Sequence, residues 1–78
     1  MKPVLATATW CGPCKVLKNQ LESLNLLDKV DVKDVDVERA FFNENKIKSV
    51  PTLVVLREGQ ESLKYSGTDN ILSIIKEL

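Results

Sequence analysis

The chain opens on Val4-Leu5-Ala6-Thr7-Ala8, a stretch that is apolar or small throughout and rich in β-formers, which predicts a short buried strand. A turn at Thr9-Trp10 leads into a helix. There Cys14, Leu17, Leu21 and Leu24 recur at helical spacing, with Lys15, Lys18, Asn19 and Glu22 elsewhere on the surface. Pro13 falls in the first turn, where a helix tolerates proline. Residues 30–37 predict a second strand. Val30 and Val32 alternate with polar residues, as do Val35 and Val37, and Lys33-Asp34 breaks the phase, which predicts a bulge or bend in a half-exposed edge strand. A short second helix follows over residues 38–46, with Ala40, Phe41 and Ile47 facing inward. Leu53-Val54-Val55-Leu56 is fully apolar and predicts an inner strand.

Glu58-Gly59-Gln60 reads as a hairpin turn, and Leu63 and Tyr65 alternate with Lys64 and Ser66 in a last edge strand. Gly67-Thr68-Asp69 supplies a breaker and a candidate N-cap. Ile71, Leu72, Ile74, Ile75 and Leu78 then form the apolar stripe of a C-terminal helix. The order βαβαββα places two parallel strands and a later antiparallel hairpin in one four-stranded mixed sheet. Helices on both faces make this an α/β fold, a three-layer α/β/α sandwich. The first strand's carboxyl end, where open α/β sheets place their sites, comes just before Cys11.

Composition narrows the function without naming it. Seventy-eight residues at 44% hydrophobic content suit one compact core, so residues 1–78 read as a single domain. Eleven basic and eleven acidic residues give zero formal net charge, which argues against general attraction to nucleic acid or to an anionic membrane. No apolar run approaches a membrane span, and residues 4–8 are too brief and too polar for a signal-peptide core. The expected setting is a reducing cytoplasm and the expected state a monomer. No repeat, low-complexity tract or linker is visible.

The candidate chemistry lies in Trp10-Cys11-Gly12-Pro13-Cys14-Lys15, which holds both cysteines of the chain. A Cys-x-x-Cys pair can be half a zinc site, a structural disulfide or a redox dithiol. Zinc needs more nitrogen or sulfur ligands, and the chain has no histidine and no third cysteine. Two copies sharing a site remain the only route to metal, and no metal or other cofactor is expected. A structural disulfide stabilises chiefly by closing a long loop, and this loop is about as short as they come. In a reducing compartment the pair reads as redox-active.

Cys11 lies at the start of a helix, where free backbone N–H groups and the macrodipole favour a thiolate. It is the expected nucleophile, and Cys14, one turn further in, the resolving thiol. Proline at position 13 stiffens the loop and removes an N–H that would otherwise stabilise the thiolate, which makes the pair more reducing. Lys15 is either added positive charge beside the site or solvated surface. Trp10 is either an apolar platform beside Cys11 or part of the core, and its place next to the nucleophile favours the platform.

These residues resemble the thioredoxin family, whose active-site motif is Trp-Cys-Gly-Pro-Cys-Lys, here at 10–15. Val50-Pro51-Thr52 matches a second family motif. The resemblance spans essentially the whole chain. It implies a thioredoxin-like fold, reduction of disulfide-containing protein substrates, and a thioredoxin reductase or other electron donor. It also implies a cis bond at Pro51 against the cysteine pair and a backbone at Val50 that pairs with substrate and, with Gly67, completes the substrate surface.

Two departures stand out. The chain is shorter than typical thioredoxins, without their first strand and helix, and nearer a glutaredoxin in outline. The buried aspartate usually six residues before the first cysteine is Leu5 here, and its usual lysine neighbour aligns with Val32. Ser66-Gly67-Thr68-Asp69 partly resembles the glutathione-holding segment of glutaredoxins, although Gly12-Pro13 is not the usual glutaredoxin pair. The expected function is therefore a small thioredoxin-like protein-disulfide reductase. A glutathione-fed reductase and a non-catalytic binding module are the alternatives.

Overall fold

Leu5, Leu17, Leu21, Leu53, Ile71 and Ile75 are all closed to solvent, and the elements that carry them define the fold. The computed structural model of the chain describes residues 2–78. In chain order these elements are β1 (Val4–Thr7), α1 (Gly12–Ser23), β2 (Asp31–Asp34), α2 (Arg39–Glu44), β3 (Thr52–Val55), β4 (Leu63–Ser66) and α3 (Thr68–Lys76), with a 3-10 turn at Leu27–Lys29 before β2. The sheet runs β2-β1-β3-β4, with β1 parallel to β2 and antiparallel to β3, and β3 antiparallel to β4. This is the expected four-stranded mixed sheet of an α/β fold, with β2 and β4 at its edges.

Register explains which face each residue serves. Leu5 lies opposite Leu53, and Leu53 opposite Tyr65, so the three share the face that α1 and α3 cover. Val4 lies opposite Val54 and Ala6 opposite Thr52, and these four are buried on the other face. Each fully buried leucine or isoleucine contributes roughly 1.5–3 kcal/mol by leaving water. β1 is buried at every position because both of its faces and both of its edges are covered.

Several expectations change, among them Leu78, which lies beyond α3 and is exposed. β2 ends at Asp34 rather than Val37. The Asp34 carboxylate accepts from the Asp36 N–H at 2.8 Å and its carbonyl from the Glu38 N–H at 2.8 Å, so the phase break is a turn. Val37 is consequently exposed. In the second helix Phe42 is the buried residue, while Ala40 is exposed and Phe41 half-buried. Phe41 instead takes the Lys33 ammonium over its ring, 5.4 Å from the centroid, and Lys33 also pairs with Glu38 at 3.6 Å. Leu24 leaves the α1 stripe as its C-cap and is exposed.

Both α1 and α2 end on Schellman turns. In α1, Asn25 adopts φ 56° and the Leu26 N–H reaches back to the Leu21 carbonyl at 2.8 Å. In α2, Lys46 adopts φ 56° and the Ile47 N–H reaches the Phe42 carbonyl at 2.9 Å. That second turn reverses the chain and aims residues 47–50 at the carboxyl end of β1.

Candidate active site

Cys11 is the N-cap of α1, in extended conformation, four residues after β1 ends. The helix begins there because Gly12 and Pro13 fill its first positions and Pro13 has no N–H to leave unsatisfied. The Cys14 N–H points at the Cys11 sulfur at 3.2 Å. The Lys15 N–H is bonded to the Cys11 carbonyl at 3.2 Å. Cys11 and Cys14 are joined by a disulfide, with Cα atoms 5.3 Å apart.

The two cysteines differ in access and in neighbours. Cys14 is 1% exposed and Cys11 is 6% exposed, and both pack with Ala8, Val35 and Val50 in a small apolar cluster. The residues packed around the pair are thus apolar. Leu5 lies elsewhere, in the main core with Leu17 and Leu21, and it is paired in register with Val32. The alignment that set Val32 beside Leu5 thus matches the strand pairing.

The chain reaches the thiols from the other side through Val50-Pro51, whose peptide bond is cis. Pro51 is buried, and the Val50 carbonyl oxygen lies 3.8 Å from the Cys11 sulfur. A disulfide sulfur has no hydrogen to donate, so this is a contact in the oxidised pair. In the dithiol the same atoms are placed for an S–H to donate. The loop is braced by the Thr52 hydroxyl, which donates to the Ser49 carbonyl at 2.7 Å.

Trp10 is 68% exposed, which excludes it from the core. It is nevertheless held: its indole N–H donates to the Asp36 carboxylate at 3.3 Å, and Asp36 is itself set by the Asp34 turn. Sequence reasoning did not single out Asp36. Its signal is the Asp34-x-Asp36 spacing, which is Asx-turn chemistry. Between Trp10 and residues 47–50 lies a depression of about 320 Å³ with apolar walls from Val35, Phe42 and Ile47. Lys15 is exposed and forms no ion pair among the described residues. A Cβ added at Gly12 meets nothing within 4 Å, so a side chain there would project into open space. Gly67 caps α3 at φ 89°, a conformation that favours glycine, directly after the Ser66 that pairs with Thr52.

A helix N-cap thiol disulfide-linked to a buried partner one turn on, at the end of the first strand of a four-stranded mixed sheet, defines a thiol–disulfide oxidoreductase of thioredoxin-like fold. The thioredoxin family model matches residues 3–78, and the chain belongs to the thioredoxin family. It is 34% identical over 83 residues to a thioredoxin-like protein of Synechocystis, covering 99% of this chain and 79% of that one. It is 33% identical to a thioredoxin of Mycolicibacterium smegmatis, covering 99% of this chain and 76% of that protein. Among solved structures, the oxidised mitochondrial thioredoxin 3 of Saccharomyces cerevisiae superposes with a TM-score of 0.73 at 30% identity, covering 97% of this chain and 76% of that chain. The germline thioredoxin Deadhead of Drosophila melanogaster gives 0.69 at 30% identity, over 99% and 81% of the two chains. The protein is accordingly a protein-disulfide reductase working through Cys11–Cys14, with disulfide-containing proteins as substrates and a reductase as its general class of donor.

Proposed function

We propose that Cys11 is the attacking thiol and Cys14 the resolving one, within a single-domain, monomeric, cytoplasmic carrier of reducing equivalents. The Cys11 thiolate attacks one sulfur of a substrate disulfide. That bond breaks, the departing thiolate takes a proton, and a Cys11–substrate disulfide forms. The Cys14 thiolate then attacks the Cys11 sulfur. The second substrate thiol leaves, and two electrons and two protons have passed from the dithiol to the substrate. A reductase, thioredoxin reductase by family analogy, restores the dithiol and so links the protein to cellular electron transport and redox homeostasis.

The observation that carries this order is the Cys14 N–H on the Cys11 sulfur, at the positive end of α1, with Cys14 itself nearly closed to solvent. In this reading Trp10 and the Val50 backbone flank the nucleophile, the cis Pro51 follows Val50 at the substrate surface, Gly12 adds no side chain there, and Gly67 borders the Pro51 turn. Pro13 keeps one donor away from the thiolate, and Lys15 adds positive charge on the solvent side. Cys11→Ser is expected to abolish reduction, and Cys14→Ser to accumulate a mixed disulfide seen by mass spectrometry. Trapping through Cys14 in the Cys11→Ser variant reverses the assignment. The glutathione-fed alternative is separated by comparing a thioredoxin reductase system with glutathione as donor.

A further inference from the structure

Residues 47–49 form a ridge between two depressions of opposite character. On one side is the hollow beside Trp10, with apolar walls from Val35, Phe42, Ile47 and Val50 and with Lys48 at its edge as well. On the other, a smaller hollow of about 120 Å³ runs between the ridge and the β3–β4 hairpin. Its charged lining residues are Lys48 and Lys64, and no carboxylate lines it. Lys64 lies opposite Val54, and Ser66 opposite Thr52, so Lys64, Ser66 and Thr52 share the sheet face that meets this hollow. The serines at 49 and 66 add hydroxyl groups. Neither lysine has an ion-pair partner among the described residues, where Lys33–Glu38 is the pair that forms. The positive spot is local: on its outer side Lys64 also lines a hollow that holds Glu44, Lys46 and Glu61.

The ridge continues directly into Val50, whose carbonyl touches the Cys11 sulfur. An extended segment that delivered a cysteine to Cys11 along this ridge would turn alternate side chains to opposite sides. One side receives apolar groups. The other offers the ammonium groups of Lys48 and Lys64, which attract an anion.

We propose that Lys48 and Lys64 form a carboxylate subsite that makes disulfides flanked by an aspartate or glutamate the preferred protein substrates. The proposal rests on the reductase reading and adds the class of substrate to it. Both lysines determine specificity and take no part in the sulfur chemistry.

The test uses the full chain, reduced beforehand and mixed in stoichiometric amount with synthetic peptides, so that no reductase is needed. Each peptide carries one cysteine capped as a disulfide with 2-mercaptoethanol. Glutamate, glutamine or lysine is placed in turn at the two positions on either side of that cysteine. The reading is the ratio of second-order reduction rates for the glutamate and lysine peptides, which cancels any change in Cys11 reactivity. At low salt the ratio is expected to reach about fivefold or more at one position, from a contact between unit charges near the surface. It should shrink as salt is added. Lys48→Gln with Lys64→Gln should bring it to about one, and Lys48→Glu should invert it. Lys76→Gln, at the far end of α3, should leave the ratio as it was. Equal rates for all three peptides at every position, or a ratio that survives the double substitution, overturns the subsite. Failure to reduce even the glutamine peptides overturns the reductase reading instead.

Discussion

A rise in pH acts on the mixed-disulfide intermediate through the Cys14 thiol, because the sulfur of Cys11 is then covalently occupied. Thioredoxins usually place a carboxylate near that thiol, and here the corresponding residue is Leu5, packed among Leu17 and Leu21. The cluster that holds Cys14 offers it Ala8, Val35 and Val50. No hydrogen bond from the first helical turn reaches the Cys14 sulfur among the described residues. Pro13 has no N–H, the Cys14 N–H faces the Cys11 sulfur, and the Lys15 N–H faces the Cys11 carbonyl. Burial among apolar side chains disfavours the thiolate that resolution requires, so resolution is expected to be slow at neutral pH.

An ordinary thiol is only a few per cent ionised at neutral pH. Resolution needs the thiolate, so its rate should climb about tenfold per pH unit, or roughly a hundredfold between about pH 6 and 8. The sign is fixed by the chemistry: deprotonation activates, and acid slows decay. The assay is stopped-flow decay of a Cys11 adduct with a small aromatic thiol, read by release of the thiol. Decay that is already fast and flat from about pH 6 upward means that another group acts as base, and the reading of Leu5 fails.

Pro13→His restores a backbone N–H and adds a basic ring beside the Cys11 sulfur, so the pair should become more oxidising. The wild-type potential should lie at about −270 to −230 mV on the family scale, and equilibration against a glutathione buffer measures both. Leu5→Asp removes a side chain closed to solvent and buries a carboxyl in its place, which should cost several kcal/mol in urea unfolding. A melt within a degree or two of wild type would show that the core does not depend on that side chain. Asp36→Ala removes the acceptor of an exposed hydrogen bond, so stability should change by less than about 1 kcal/mol. Its signature is in Trp10, the sole tryptophan of the chain, whose fluorescence anisotropy should fall as the indole gains freedom. An unchanged anisotropy would mean that Asp36 does not position Trp10.

Hydrophobic periodicity alone determined most of the element order, because burial on one face imposes a period of two on a strand and 3.6 on a helix. Leu53-Val54-Val55 announced an inner strand, and Ile71 and Ile75 announced the buried stripe of α3, where both are closed to solvent. Cys11 and Cys14 were legible for a related reason: their spacing is local, and Pro13 marks the helix start that joins them. Phe42 was missed because a six-residue helix is too short for its periodicity to distinguish neighbouring aromatic residues. The end of β2 was missed because Val35 and Val37 continue an alternation that the Asp34 side chain overrides by bonding the Asp36 N–H.

What only the tertiary structure decided are the pairings between residues far apart in the chain. Val50 comes to Cys11 across 39 residues and Asp36 to Trp10 across 26. These contacts depend on β3 lying between β1 and β4, and on the turn after α2 aiming residues 47–50 at the end of β1. Local preferences carry no information on such meetings, since the packing of Leu5, Leu53 and Ile71 into one core is what brings the distant segments together.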